Sequence, residues 1–231
     1  MSLYTKYEAL SPIHSGGLTN HLPMLLNVLQ RFNVSDALIE QILDQYRDEH
    51  AIFDLTLPNT PRDEFDDAYV ISTGHYLSEI NRDGIELAVS NFLEAHVLSI
   101  PSGLFHGVIR LMFAVLTDEA MQIAQAMAYF DLVSSSYELT GQLTSSLDLK
   151  SKLETNRLLL HESNFKFSTD YTDTKFNELK ELPIVKDNLL MFENGALTKE
   201  EILDIILNRY LETDNFYILH LITGFESIIA L

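Results

Sequence analysis

Two polar side chains interrupt the most apolar part of the chain and are the first candidates for chemistry. Residues 104–115 read LFHGVIRLMFAV, and the only titratable members are His106 and Arg110. A spacing of four residues places both side chains on one face of a helix. Because so apolar a helix is predicted to be buried, both groups need polar partners. The partners are either groups of the protein, as for an ordinary core histidine and a structural arginine, or a bound ligand.

Two more histidines occupy comparable settings. His220 lies in the apolar segment FYILHLITGFESII, and His21 begins the apolar segment HLPMLLNVLQRF. The positive end of a helix dipole disfavours an imidazolium, so His21 is predicted to stay neutral, the form that binds metals. His21, His106 and His220 could therefore converge on one iron or zinc ion, as side chains of facing helices do in bundles. His161 and His75 are candidates for a further ligand.

The spacing of the histidines leaves two interpretations open. The sequence contains no H-E-x-x-H motif and no E-x-x-H pair, which are typical of local metal-ligand pairs. His14, His50 and His96 resemble loop or helix-end residues, and we predict that they are solvated. Metal binding and ordinary hydrogen bonding in the core are both retained, and the spacing favours the second.

The composition excludes several classes of function. The chain has 231 residues, a formal net charge of −19 and no cysteine. The lack of cysteine excludes disulfides, cysteine-ligated metal centres and cysteine nucleophiles. The acidic excess argues against a nucleic-acid partner and against an anionic membrane surface. No apolar run reaches about 18 residues and no signal peptide is found, so we expect a cytoplasmic protein without a membrane-spanning helix.

Several familiar motifs are missing from the sequence. It contains no G-x-G-x-x-G fingerprint, no P-loop and no G-x-S-x-G elbow. The acidic cluster at residues 63–67 lacks the glycine and the terminal glutamate of an EF-hand loop, so we interpret it as a solvated charge run.

The elements that carry the candidate residues are predicted to be helices. Apolar residues recur at helical spacing and no series of alternating strands is found, which predicts an all-α fold. We expect a single-domain multi-helix bundle over residues 1–231, with buried central helices. Residues 1–18 are predicted to be an irregular lead-in, and residues 50–74 a long acidic loop that could cover a site.

Helix boundaries follow from the apolar spacing and from capping residues. The predicted helices span residues 20–32, 36–47, 76–81, 83–93, 104–115, 117–130, 147–161, 176–192 (one or two short helices), 198–210 and 214–229. Residues 164–174 are predicted to be a loop. The predicted N-caps are Asn20, Asp83, Thr117, Asp214 and Thr198, the last in a capping box with Glu201.

Four segments of the chain resemble the questin oxidase-like family. They are TNHLPM (residues 19–24), FHGVIRL (105–111), AMAYF (126–130) and LHLITG (219–224), and the second is the most specific. The resemblance implies an α-helical protein related to fungal enzymes that oxidise and open anthraquinone rings. Such enzymes are described as NADPH-dependent oxygenases of the Baeyer–Villiger type or as non-haem iron oxygenases. The resemblance implies that His21, His106 and His220 are metal ligands, and it is the only reason to expect NADPH.

Two hypotheses of function follow. The first is an oxidoreductase of the oxygenase type acting on an aromatic or polycyclic small molecule. Non-haem iron or another divalent metal would be held by the histidines, and Arg110 would pair with a phenolate or carboxylate of the substrate. The second is a catalytically inactive helical protein that keeps the scaffold and binds a small molecule or serves a structural role. It is motivated by the missing ligand motifs and by a chain that ends seven residues after Gly224, where family members continue.

Overall fold

The computed structural model describes residues 2–14, 17–60, 62–136, 143–144, 149–168, 172–183, 191–192 and 198–231. The described residues form eleven α-helices and two pairs of two-residue strands, so the predicted all-α fold is confirmed. The chain divides into two compact units, which are described separately. The first comprises Met1–Val97, His106–Ser134 and Ser227–Leu231, and the second Leu98–Phe105 and Ser135–Glu226. That residues 1–231 form a single domain stays a prediction.

The first unit contains most of the candidate residues. Its strands β1 and β2 form an antiparallel hairpin in which Ile13 lies opposite Thr19. Its elements in chain order are α1 (Leu3–Tyr7), β1 (Ile13–His14), β2 (Leu18–Thr19), α2 (Leu22–Arg31), α3 (Asp36–Glu49), α4 (Glu64–Asp83), α5 (Ile85–His96), α6 (His106–Val115) and α7 (Ala120–Val133).

Helix α7 forms the centre of the first unit. Helices α4, α5 and α6 all pack against it. It is apolar on nearly all sides, and its fully buried apolar side chains are Ile123, Ala124, Ala126, Met127, Ala128 and Phe130. A helix of this kind needs neighbours on most faces. The predicted buried central helices are therefore found, with α6 lying against α7.

Helix α6 approaches α7 closely at Gly107. A Cβ atom at Gly107 would lie 2.6 Å from Cδ2 of the fully buried Phe130, so a glycine is required at this separation. The close packing holds α6, and with it His106 and Arg110, against α7.

A second apolar cluster joins α1, α2 and α3. Leu3 and Tyr7 of α1 and Leu26 of α2 are buried against Ile39 and Leu43 of α3. Helix α2 also packs against α6. The cluster therefore fixes the start of α2, where His21 lies, relative to α6.

Residues 1–18 are more regular than predicted. Ser2 caps α1 by accepting a hydrogen bond from the backbone N–H of Thr5 at 3.2 Å, and Leu3 and Tyr7 are buried one turn apart. The prediction of an irregular lead-in is wrong because this short helix and the β1–β2 hairpin both occupy it.

The predicted acidic loop at residues 50–74 is wrong in its second half. The side chain of Asp63 accepts a hydrogen bond from the backbone N–H of Asp66 at 2.9 Å, and α4 begins at Glu64. Carboxylates in a first helical turn interact favourably with the helix dipole. Tyr69 and Tyr76, two turns apart, then bury one face of α4. The acidic residues therefore begin a helix instead of marking a loop.

Helix α6 begins two residues later than predicted. Leu104 and Phe105 have φ angles of 54° and 64°, within the 3₁₀ turn Ser102–Phe105. This left-handed conformation is unfavourable for residues with a side chain, so surrounding packing must maintain it, and Leu104 is buried. His106 is therefore the first residue of α6 and is only half-buried.

Three N-caps in the first unit differ from the predictions. Asn20 accepts a hydrogen bond from the backbone N–H of Leu22 at 2.9 Å, but His21 stands at the cap position of α2. Asp83 ends α4, and α5 starts after Gly84 instead. Thr117 lies before the cap position of α7, which starts at Ala120. The observed cap positions lie one or two residues after the predicted ones.

The second unit contains four of the helices in the described residues. They are α8 (Leu149–Glu162), α9 (Thr172–Glu181), α10 (Lys199–Thr213) and most of α11 (Phe216–Ala230). Strand β3 (Leu143–Thr144) runs parallel to β4 (Met191–Phe192). The predicted helix over residues 176–192 ends at Glu181 and starts earlier, within the predicted loop, and residues 184–190 lie outside the described residues.

The caps of α10 and α11 illustrate one success and one error. The capping box of Thr198 and Glu201 is confirmed, with both reciprocal hydrogen bonds present. Asp214 instead ends α10 with a left-handed φ of 46°, and the side chain of Asn215 accepts a hydrogen bond from the N–H of Tyr217 at 2.9 Å. Among the described residues, no helix is both long and apolar enough to cross a membrane.

Candidate functional site

Two of the predicted histidines lie side by side in the first unit. His21 precedes α2 and His106 begins α6, and their Nε2 atoms are 3.0 Å apart. The ring centroids are 4.9 Å apart and the ring planes are nearly perpendicular, at 80°. At this distance one neutral imidazole donates a hydrogen bond and the other accepts it. His106 is half-buried, whereas His21 at the head of α2 is exposed.

A second histidine cluster adjoins the pair through Tyr46. The backbone N–H of His21 donates to the Tyr46 hydroxyl at 3.4 Å. The Tyr46 ring lies 4.4 Å from that of His50, and the His50 ring lies 4.7 Å from that of His14. His14 and His50 are half-buried, so the prediction that both are solvated is wrong. The spacing of Tyr46 and His50 along α3, one turn apart, was the sequence signal for this contact.

The environment of His14 disfavours its charged form. Burial lowers the pKa of His14, and the nearby His50 lowers it further. The neutral ring is therefore the favoured state in the folded protein.

Each of the other predicted metal ligands is described within its own unit. His75 is exposed on α4 and lies 3.6 Å from Glu79, one turn further along the helix. His161 is exposed near the end of α8. His220 belongs to the second unit, is 9% exposed, and places Nδ1 2.9 Å from the carbonyl oxygen of Phe216. Among the described residues, no three His, Cys, Asp or Glu side chains come close enough together to hold a metal ion.

Arg110 is buried one helical turn from His106. It is 4% exposed, and its Nη2 donates to the Tyr69 hydroxyl at 3.3 Å. Its guanidinium carbon lies 5.1 Å from the centre of the Tyr129 ring, a cation–π contact. Its Nη1 is buried and has no hydrogen-bond partner among the described residues. A structural arginine is often paired with a buried Asp or Glu, but the described part of the chain shows no such ion pair for Arg110.

The two tyrosines that contact Arg110 are themselves held in place. Burial raises the pKa of Tyr69, although the positive charge of Arg110 opposes this rise. The Tyr129 hydroxyl lies 2.5 Å from Oγ1 of Thr19. Because its pKa is raised, the phenol of Tyr69 is neutral at neutral pH and binds the guanidinium without cancelling its charge.

A small cleft leads to Arg110 between α2, α6 and α7. It is lined by Pro23, Arg110, Phe113, Ala114, Thr117 and Gln122. Pro23 follows His21 by two residues, and Arg110 follows His106 by one turn. The histidine pair and the cleft therefore belong to the same contact between α2 and α6. The cleft itself offers the guanidinium of Arg110 and apolar side chains, and neither His21 nor His106 is among its described lining residues.

One further cluster of polar groups escaped the sequence analysis. His96, predicted to be solvated, places Nδ1 2.9 Å from the Phe92 carbonyl oxygen and Nε2 3.1 Å from Oδ1 of Asp131. Its ring stacks on Phe92 with the centroids 4.0 Å apart. Burial and the nearby Asp131 raise the pKa of Tyr76. The i, i+4 spacing of Phe92 and His96 was the signal available for the stacking contact.

Comparisons with known proteins give no match: no family model, no curated protein and no solved structure is similar to this chain. The resemblance to the questin oxidase-like family therefore stays a prediction from four sequence segments.

Proposed function

We propose that the protein is an oxidoreductase of the oxygenase type that acts on an aromatic or polycyclic small molecule where α2 meets α6. The proposal depends above all on the 3.0 Å separation between the Nε2 atoms of His21 and His106. The buried guanidinium of Arg110 lies one turn from this pair and supports an acidic substrate. The resemblance of the surrounding segments to the questin oxidase-like family favours oxidation as the reaction.

The imidazole pair is compatible with two ligands of one metal ion. Two nitrogen atoms that each lie about 2.1 Å from an ion, at right angles, are about 3.0 Å apart. Non-haem iron or another divalent metal bound by His21 and His106 would supply the redox chemistry with dioxygen. Only the sequence supports His220, His161 and His75 as further ligands.

The side chains of the protein have roles of their own in this proposal. The guanidinium of Arg110 stabilises the anionic oxygen of the substrate. Pro23 and Phe113 in the cleft wall exclude water from this charge pair.

Metal content tests the first step of the proposal. We expect protein purified without chelators to hold one divalent metal ion per chain, and the His21→Ala and His106→Ala variants to lose it. His75→Ala is the control, because His75 is exposed and pairs with Glu79, and we expect it to keep the metal. Elemental analysis measures the stoichiometry. If the metal content is unchanged in both variants, His21 and His106 are not metal ligands.

Oxygen consumption tests the reaction itself. We expect the metal-loaded protein to consume dioxygen with an anthraquinone-type substrate, measured with an oxygen electrode with and without NADPH. His106→Ala should abolish this consumption, since it removes one half of the imidazole pair.

A second candidate function is binding without turnover. One observation favours it: the described residues contain no group of three potential metal ligands. In that case the two imidazoles hydrogen-bond to each other, and Arg110 in the cleft binds an acidic group of a small molecule whose rings lie outside the cleft. Tight binding of the anthraquinone-type compound, with no oxygen consumption even after the protein is loaded with iron, would support this candidate and exclude the first.

A further inference from the structure

We propose that the cleft at Arg110 is a carboxylate-binding site. The inference deepens the proposed function because it names the acidic group that the ligand carries. It rests on the proposed function only for the identity of the rest of the substrate. It selects a carboxylate over the phenolate that Arg110 could also accept.

The first observation is a buried positive charge without a carboxylate partner. Arginine is always charged, and burying an ion that lacks a counter-ion is costly. Most other described arginines are at least about one-third exposed, and each of them lies within 4.0 Å of a carboxylate. They are Arg47, Arg62, Arg82, Arg157 and Arg209. Arg110 has the greatest need of a counter-ion and finds none among the described residues.

The second observation is that neighbouring tyrosines hold the guanidinium in place, while its Nη1 group makes no hydrogen bond to the described residues. Tyr69 accepts a hydrogen bond from Nη2. The guanidinium carbon lies 5.1 Å from the centre of the Tyr129 ring. Thr19 fixes the Tyr129 hydroxyl in turn. Nη1 has no partner among the described residues. A guanidinium with an unsatisfied donor gains a charge-assisted hydrogen bond when an anion binds it.

The lining of the cleft selects the kind of anion. Arg110 is the only charged residue among the described residues that line the cleft, so the site suits a monoanion better than a phosphate dianion. Gln122 is buried at 7% exposure, and its Nε2 makes only a long contact of 3.5 Å with Oε1 of Gln125. Its amide can therefore donate a further hydrogen bond. The two oxygens of a carboxylate can be shared between the guanidinium and this amide, whereas a phenolate has only one oxygen.

The size and walls of the cleft agree with this assignment. The enclosed part of the cleft has space for about one water molecule, so a carboxylate reaches Arg110 only from the open mouth of the cleft and a ring stays outside it. Pro23 and Phe113 provide apolar surface at its edge, where the rest of an aromatic acid can pack. The ligand class is therefore an aromatic or apolar monocarboxylate.

Benzoate and its neutral isostere benzamide test the site directly. We expect benzoate to bind the metal-free protein in isothermal titration calorimetry, and benzamide to bind at least about tenfold more weakly, because only benzoate carries a charge for Arg110. Equal binding of the two compounds, or no benzoate binding, overturns the proposal. Inorganic phosphate should not compete with benzoate, and competition by phosphate at a similar concentration would overturn the monocarboxylate assignment.

A substitution next to the cation provides a test that does not depend on removing Arg110. Gln122→Glu places a carboxylate beside the guanidinium, so we expect benzoate affinity to fall by about tenfold or more while the melting temperature is kept or raised. The matched control is Gln41→Glu, the same charge change at an exposed position of α3, which should leave affinity unchanged. Benzoate affinity that is equal in Gln122→Glu and the parent overturns the proposal.

The benzoate-binding experiment can fail or succeed independently of the oxygen-consumption experiment. Benzoate binding is measured without metal, NADPH or oxygen chemistry. If benzoate binds and the Gln122→Glu variant loses it, the carboxylate site stands even when no oxygen is consumed. If oxygen is consumed but benzoate binding is independent of residue 122, the oxidation stands and the carboxylate site fails.

Discussion

At the scale of single residues, the histidines near the start of α2 form two contacts with different consequences. The His21–His106 pair shares one hydrogen bond between ring nitrogens, which either imidazole can donate. The His14–His50 contact joins two rings whose simultaneous protonation would be repulsive. Tyr46 touches both groups, because its hydroxyl accepts the N–H of His21 and its ring lies against His50.

The lowered pKa of His14 predicts a loss of stability in mild acid. The unfolded chain binds a proton near pH 6.5, the ordinary value for histidine, whereas the folded chain binds it only at lower pH. The folded state is therefore fully stable above that value and loses stability as the pH falls below it. We expect the free energy of unfolding, from urea titration, to decrease between about pH 7.5 and about pH 5.5.

Two variants isolate the contribution of this pair. His50→Gln removes the neighbouring charge, so the decrease in unfolding free energy between the two pH values should become smaller. His75→Gln changes an exposed histidine on α4 and should leave the decrease as it is in the parent. If the unfolding free energy of His50→Gln has the same pH dependence as that of the parent, His50 does not repel the protonated ring of His14.

At the scale of elements, the contact between α6 and α7 decides where the candidate site lies. Glycine at position 107 lets the backbone of α6 approach Phe130, and the same helix then carries His106 at its start and Arg110 one turn later. Tyr69 from α4 and Tyr129 from α7 meet the guanidinium from neighbouring helices. The site thus depends on helix packing and not on any loop.

Substituting Gly107 tests this contact. In Gly107→Ala the new methyl group would lie 2.6 Å from Phe130, and a fully buried ring has little room to move. We expect a destabilisation of about 1–3 kcal/mol, as for overpacked cores. Gly74→Ala in α4 is the matched control: it has nothing within 4 Å of its Cβ and should stabilise the protein. Helix propensity alone predicts a gain of about 0.5–1 kcal/mol there.

Chemical denaturation of both variants measures these changes. If Gly107→Ala is as stable as the parent, α6 and α7 are further apart than the close approach implies.

At the scale of the whole molecule, net charge is the dominant electrostatic property. The chain carries a formal charge of −19, and its described ion pairs mostly join exposed side chains. Exposed ion pairs contribute little to stability, whereas an excess of one sign destabilises the compact state through repulsion.

This charge predicts that salt stabilises the protein. Raising sodium chloride from about 20 mM to about 500 mM shortens the Debye length from roughly 20 Å to a few ångströms and screens the repulsion. We expect the melting temperature, measured by circular dichroism, to rise steadily over this range. A falling melting temperature would mean that ion pairs outweigh the repulsion between acidic groups.

The sequence alone determined the helical class and several helix ends. Apolar spacing located α3 and α8 to within a few residues, and the capping box of Thr198 and Glu201 fixed the start of α10. These features depend on interactions over three or four residues, which a single segment contains in full. The face shared by His106 and Arg110 could be read from the sequence for the same reason.

Only the tertiary structure decided which groups meet. His21 and His106 are 85 positions apart in the chain, and the partners of Arg110 come from α4 and α7. The late start of α6 depends on packing that holds Leu104 and Phe105 in left-handed conformations. Such contacts depend on how helices pack in three dimensions, and the local pattern of one segment does not contain that information.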